Sequence, residues 1–139
     1  MKTIRGYRDL EIWQIATKLV VECYRLCDQL PRSEDFGLKP QIRRAAVSIP
    51  ANIAEGHGRS TTGEYIQHLG IAHGSLMELE THIQIAGRLG LLTEAQTRCV
   101  LECTPELGRM MNALSSNLRV RRRTRNRTPI ATEVEFPDR

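Results

Sequence analysis

Four cysteines, four histidines and a run of arginines are the residues whose types and spacing could do chemistry. The cysteines fall as Cys23/Cys27 and Cys99/Cys103. Each is an i, i+4 pair that puts both thiols on one helix face. If the first of four helices ends where the fourth begins, the geometry would allow a four-cysteine metal site. Against it, Cys23, Cys27 and Cys103 occupy apolar seam positions, where a free cysteine acts as a small hydrophobe. Helical Cys-x-x-x-Cys is also a weaker signature than a Cys-x-x-Cys knuckle. No metal and no cofactor are therefore expected. The residues three before His68, His73 and His82 are Tyr65, Gly70 and Leu79. The Glu-x-x-His pattern of di-iron bundles is thus missing. His57, between Gly56 and Gly58, reads as a loop residue rather than a base. No nucleophile has an activating partner in the sequence, so no enzymatic activity is expected.

The arginines are denser. Arg119, Arg121, Arg122, Arg123, Arg125 and Arg127 fall within "RVRRRTRNR". A guanidinium fork binds phosphate bidentately, and such a run would bind RNA or DNA by counterion release, with steep salt dependence. Aromatics are only 4% of the chain, so base stacking adds little and sequence specificity should be weak. Residues 1–118 carry 13 basic and 13 acidic residues, whereas 119–139 carry 7 and 3, so the whole net charge of +4 lies after Leu118. Arg43 and Arg44 would add to a basic surface, although salt bridges between subunits explain them equally well.

These residues must be positioned by helices. The spacing predicts four, over about 9–30, 39–56, 61–89 and 93–118, forming one domain over 1–118. Asp9 is a good N-cap for the first, whose seam reads Trp13, Ala16, Val20, Cys23, Cys27, Leu30. Ile42, Ala46, Ile49 and Ile53 form the second seam, and Gly56 or Gly58 can take a left-handed cap. The third opens on a capping box, Thr61 with Glu64. Its seam alternates steps of 4 and 3 through Tyr65, Leu69, Ala72, Leu76, Leu79, Ile83 and Ala86, and Gly90 closes it. A second box, Thr93 with Gln96, opens the fourth, with seam Val100, Cys103, Leu107, Met110, Leu114 and a kink at Pro105. The expected fold is all-α, an antiparallel up-down-up-down four-helix bundle. Residues 119–139 form an Arg-rich tail, expected to be disordered. No apolar run is long enough to span a membrane, and the first residues hold no signal-peptide core. A cytoplasmic protein with reduced cysteines is expected.

The second helix carries more apolar surface than one stripe. Val47, Pro50 and Ala54 lie about 70–130° from its core seam at 100° per residue, while Arg44, Ser48, Asn52 and Glu55 share one polar stripe. A well-buried central helix would explain this. So would a second face that meets another subunit. Gly70 and Gly74 on the third helix form a small-xxx-small pair that suits a close helix crossing. Glu55, in the last turn, opposes the helix dipole and wants a cation. Arg59 lies beyond the glycines and Arg44 about 16 Å up the helix, so an arginine from a neighbouring subunit is the expected partner. Pro50 should leave one continuous, kinked helix with Val47 and Ala54 facing outward. The expected subunit interface is Val47, Ser48, Pro50, Asn52, Ala54, Glu55, Arg59, Gly70 and Gly74.

Three blocks carry a family resemblance: "YRDLEIWQIATKLV" from Tyr7, "IRRAAVSIPANIAEGHGR" from Ile42, and "EYIQHLGIAHGSLMELETHI" from Glu64. Over about residues 5–118 the chain resembles the four-helix-bundle proteins encoded by intervening sequences of bacterial 23S ribosomal RNA genes, and their free-standing relatives. The resemblance implies an up-down-up-down bundle assembled as a ring-shaped homopentamer, with nucleic-acid association. Accessory proteins of diversity-generating reverse transcriptases look similar in fold and bind RNA and the polymerase. The Arg-rich segment departs from the family pattern, which usually ends near helix four. The leading expectation is a non-catalytic oligomeric scaffold that associates with RNA or DNA. An adaptor for a protein partner such as a reverse transcriptase, and a small cysteine metalloprotein, are the alternatives.

Overall fold

Local sequence signals set where each helix starts and stops. The computed structural model describes residues 3–127. The helices are α1 (Glu11–Gln29), α2 (Leu38–His57), α3 (Thr62–Arg88), α4 (Glu94–Leu101) and α5 (Thr104–Arg127), with 3-10 turns at Tyr7–Asp9 and Arg32–Glu34. No strand occurs among the described residues. None of the helices described is long and apolar enough to cross a membrane.

The caps follow side-chain chemistry, with corrections. Thr93 and Gln96 form a complete capping box. Thr61 Oγ1 accepts from the Glu64 N–H at 3.2 Å, while the Glu64 carboxylate turns towards Arg59. Gly90 has φ +74°. Leu91 N–H donates to the Ala86 carbonyl at 2.9 Å and Gly90 N–H to that of Gly87 at 3.0 Å, the bond pair of a Schellman stop. Asp9 is not the N-cap of α1. Its carboxylate accepts the Arg5 N–H at 2.8 Å, and Leu10 stands at the cap instead. Nor does Gly56 or Gly58 take a left-handed cap: Gly56 lies within α2, and Gly58 has φ −81°.

α2 runs unbroken through Pro50, as expected of one continuous helix. The fourth helix differs. It breaks at Glu102 and Cys103, between α4 and α5. Pro105 therefore falls in the first turn of α5, where a missing N–H does no harm. The break resets the helical phase, so α5 buries Leu107, Met111, Ser115 and Leu118, with Met110 and Leu114 at the margin. The end at residue 118 also moves. Arginine is a good helix former, Thr124 Oγ1 donates to the Val120 carbonyl at 3.0 Å, and α5 continues to Arg127. Residues 119–127, expected to be disordered, are helical. The rest of that segment, 128–139, lies outside the described residues.

α3 buries Leu69, Ala72, Leu76, Leu79, Ile83 and Ala86, as its spacing requires, with Tyr65 half-buried at the start. α1 buries Ile12, Ala16, Leu19, Cys23, Leu26 and Cys27, leaving Trp13 and Val20 at the edge. α2 supplies Ile42, Ala46, Ile49 and Ile53 and is the central element. Arg43 stacks on Tyr24 of α1 at 5.4 Å, Ser48 meets Ser75 of α3, and Gly108 of α5 lies against Leu76 of α3.

Candidate functional site

The polar stripe of α2 faces α3 of the same chain. Ser75 Oγ donates to Ser48 Oγ at 2.8 Å. Asn52 Nδ2 donates to the Ser48 carbonyl at 2.8 Å and to Ser48 Oγ at 3.0 Å, and its Oδ1 lies 3.1 Å from His68 Nδ1. His68 Nε2 stands 3.9 Å from Glu55 Oε1. Glu55 is held by Arg59 at 2.5 Å, four residues on in the same chain. The expected arginine from a neighbouring subunit is thus replaced by Arg59, because α2 stays helical through Gly56 and carries the chain round far enough for the two side chains to meet. Ser48, Asn52, Glu55 and Arg59 each have a partner within the chain, while the Arg59 and Glu55 side chains stay 45% and 51% exposed. Pro50 is buried in the core and leaves the interface set. His57 ends α2 rather than lying in a loop. Its ring meets Tyr65 edge-on at 5.7 Å, with Nδ1 3.4 Å from the phenol oxygen.

Sequence reasoning missed His68 as the centre of this seam. The available signal was a column at steps of seven on α3, His68, Ser75 and His82. These are polar residues beside an apolar seam, which is where a helix meets a polar partner.

Gly56 explains why α2 and α3 approach closely at the end of that seam. A Cβ built there would stand 2.8 Å from His68 Cβ, 3.0 Å from Tyr65 Cδ1 and 3.3 Å from the Tyr65 carbonyl oxygen. Gly70 and Gly74 are different: both are exposed, and nothing lies within 4 Å of where a Cβ would stand. Near them α3 exposes Ile71, Met77 and Ile85, and α2 exposes Val47. Ala54 is half-buried.

The arginines divide into two groups. Arg43 is half-buried against Tyr24, and its Nε is buried without a hydrogen-bond partner. Its stacking on Tyr24 ties it into the packing of α1 against α2. Arg44 is exposed, one turn further from the arginine end of α5 than Ser48. Arg119, Arg121, Arg122, Arg123 and Arg125 are all exposed on the last turns of α5. The Arg122 guanidinium lies over Gly63, 3.2 Å from where a Cβ would be, so this end of α5 sits beside the start of α3. The side chain of Arg127 lies outside the described set. Arg25, Lys39, Arg59, Arg98 and Arg109 each pair with a carboxylate of neighbouring sequence. Among the described residues, Arg119, Arg121, Arg122, Arg123 and Arg125 have no carboxylate partner within 4 Å.

Cys23 and Cys27 are buried, Cys103 is half-buried and Cys99 is exposed. Burial pushes the Cys23 thiol up to about 12, with Cys27 and Cys103 adding to the shift. Burial also raises Cys27, against the pull of Arg43, and Cys103. These are protonated thiols in apolar surroundings, the reverse of an activated nucleophile. Among the described residues no three metal-ligating side chains are grouped to hold an ion.

Comparison with known proteins places this arrangement. A model of the 23S rRNA-intervening sequence protein family matches residues 8–113. No curated protein matches the sequence. Among solved structures, a protein of unknown function from the S23 ribosomal protein family of Bacteroides thetaiotaomicron is similar, with a TM-score of 0.70 and 22% identity. The similarity covers 75% of this chain and 97% of that one. At that identity the likeness speaks for the fold alone. The arginines from Arg119 onward fall beyond the matched family segment.

Proposed function

The chain belongs to the 23S rRNA-intervening sequence protein family, and from that premise we propose a non-catalytic, self-associating scaffold that holds RNA or DNA on the end of α5. The observation that carries this reading is the set of five exposed arginines on one continuous helix, none with a carboxylate partner among the described residues. Among the described residues Arg25, Lys39, Arg59, Arg98 and Arg109 are each paired with a nearby carboxylate. A field of one sign at one end attracts polyanions. The test is RNA binding by the full chain and by a chain truncated after Leu118, at several salt concentrations. The full chain should bind with steep salt dependence and the truncation only weakly. Equal, salt-insensitive binding by both, or none by either, would overturn the reading.

Self-association rests on the outer face. Val47, Ile71, Met77 and Ile85 are exposed apolar side chains, and Gly70 and Gly74 leave room for a second helix to approach. The proposed assembly is an antiparallel up-down-up-down bundle in a ring-shaped homopentamer, working in the cytoplasm. The up-down order is supported by paired contacts that run in opposite sense along α2 and α3: Ser48 with Ser75, then Asn52 with His68. Replacing Gly70 and Gly74 with leucine should raise each subunit's own stability by roughly 1–2 kcal/mol, since leucine is the better helix former. The same change should dissociate the assembly, as read by light scattering. An unchanged particle mass would remove these glycines from the interface. A wild-type particle of 15.8 kDa would remove self-association altogether.

A further inference from the structure

The turn between α1 and α2 holds a phenylalanine out in solvent. Phe36 is 100% exposed, yet the backbone on both sides of it is tied down. Asp35 N–H donates to the Arg32 carbonyl at 3.0 Å and Gly37 N–H to that of Glu34 at 3.1 Å. The Glu34 carboxylate accepts the Leu38 N–H at 3.0 Å, and Asp35 pairs with Lys39. An aromatic side chain on a turn already ordered loses little freedom when a partner buries it, which is what suits it to anchor an interface.

The same chain carries a cleft that such a side chain fits. Where α3 gives way to α4, a cavity of about 310 Å³ is bounded by Gly87, Arg88, Leu92, Glu94, Thr97 and Leu101. Leu92 is buried, and Gly87 keeps α3 close to α4, since a Cβ there would stand 3.0 Å from Thr97 Cγ2. An apolar cavity of about 150 Å³ is enough to hold benzene. Charges match as well. Phe36 is flanked by one of each sign, Arg32 and Asp35, and the cleft is bounded by one of each sign, Arg88 and Glu94, all four exposed. Arg32 and Arg88 have no carboxylate partner within 4 Å among the described residues. Being wholly exposed, Phe36 does not fill the cleft of its own chain. By the up-down order proposed above, the α1–α2 turn and the α3–α4 corner lie at the same end. Subunits related by an axis along the helices would bring the two to one level. The cleft also continues the outer face of α3: at 100° per residue, Gly70, Gly74, Met77, Thr81, Ile85 and Arg88 fall within about 80° of arc. We infer that Phe36 of one copy seats in the α3–α4 cleft of the next, with Asp35 facing Arg88 and Arg32 facing Glu94. Knob and cleft are different patches, so the contact runs head to tail and suits closure into a ring of subunits. This rests on the self-association reading above and names the contact that directs it.

Light scattering of the full chain over a dilution series is the test. Phe36→Ala removes the knob, and Gln84→Trp obstructs the cleft from an exposed position on its wall. Neither change touches the core, so urea midpoints should match the wild type. Each alone should weaken association about thirtyfold or more, the loss expected for a buried aromatic anchor. At a concentration where each variant alone is monomeric, an equal mixture should pair, because the Phe36 of one meets the open cleft of the other. The pairs should stop at two chains of 15.8 kDa each, since no second contact remains. Exchanging the charges on one chain, Asp35→Arg with Arg88→Asp, should restore about tenfold of the affinity lost by Arg88→Asp alone. Wild-type affinity in both single variants, a mixture that stays monomeric, or no recovery in the charge-exchanged chain would overturn this contact while leaving self-association through Gly70 and Gly74 standing. A wild-type particle of one chain would overturn both.

Discussion

Replacing Gly56 with alanine is expected to lower stability by about 2 kcal/mol, net of the helix propensity gained, while the same change at Gly58 is expected to be neutral or mildly stabilising. The two glycines flank one histidine and look equivalent in the sequence. Alanine in place of a helical glycine gains up to about 1 kcal/mol. At Gly56 that gain is outweighed, because the new methyl would stand 2.8 Å from His68 Cβ and 3.3 Å from a carbonyl of α3. Neither atom is the end of a flexible side chain, so α2 and α3 must move apart and the bonds at Asn52 and His68 must stretch. At Gly58 the backbone is already αR, and a Cβ would meet nothing nearer than 3.6 Å. Only the restriction of the unfolded chain remains, and it favours alanine. Denaturant midpoints of the two variants decide the matter. Equal midpoints would mean that the close approach at Gly56 is not a constraint on the fold.

The second large effect is expected at alkaline pH. The unfolded Cys23 thiol titrates near its ordinary value of 9.0, and the folded one at about 12. Between those values the unfolded chain releases a proton that the folded chain keeps. The contribution of Cys23 is therefore complete below pH 9 and is lost as pH rises towards 12, amounting to roughly 4 kcal/mol as an order of magnitude. Cys27, Cys103 and Tyr65, all raised by burial, push in the same direction. Stability measured by urea unfolding should fall steeply above pH 9. Cys23→Ala should start less stable, since it leaves a small void, but fall less steeply. Parallel curves for the two proteins would show that another group governs the alkaline limit.

How much of this could be read from the chain depended on whether a signal was local. The seam of α3, the box at Thr93 and the stop at Gly90 were all legible, because each is a short-range pattern, although the left-handed conformation was sought at Gly56 or Gly58 and found at Gly90. The break before Thr104 was visible only as Pro105. Its consequence, the rotation that brings Met111 rather than Met110 into the core, depends on how the helix resumes. The polar stripe of α2 was read correctly as a stripe. A helical wheel does not say what stands opposite, so its partner was sought in another subunit and found in α3 of the same chain. The tail was misread over 119–127 because absence of an apolar period looks like disorder. Backbone propensity continued the helix there without any apolar face to reward it.

The contacts between Ser48, Asn52, Ser75 and His68 also settle a problem of uniqueness. The facing rows of α2 and α3 are built from isoleucine, leucine and alanine at regular intervals. If α3 slid by one turn, aliphatic side chains would meet other aliphatic side chains of similar bulk. Apolar packing alone would leave several alignments close in free energy. A slide of one turn would, however, bury two hydroxyls, an amide and an imidazole without their mates, at about 1–3 kcal/mol for each group stranded. The polar row thus acts as a vernier on an otherwise repetitive surface. It selects the single alignment in which Gly56 lies against Tyr65 and the start of α3 comes to rest beneath Arg122.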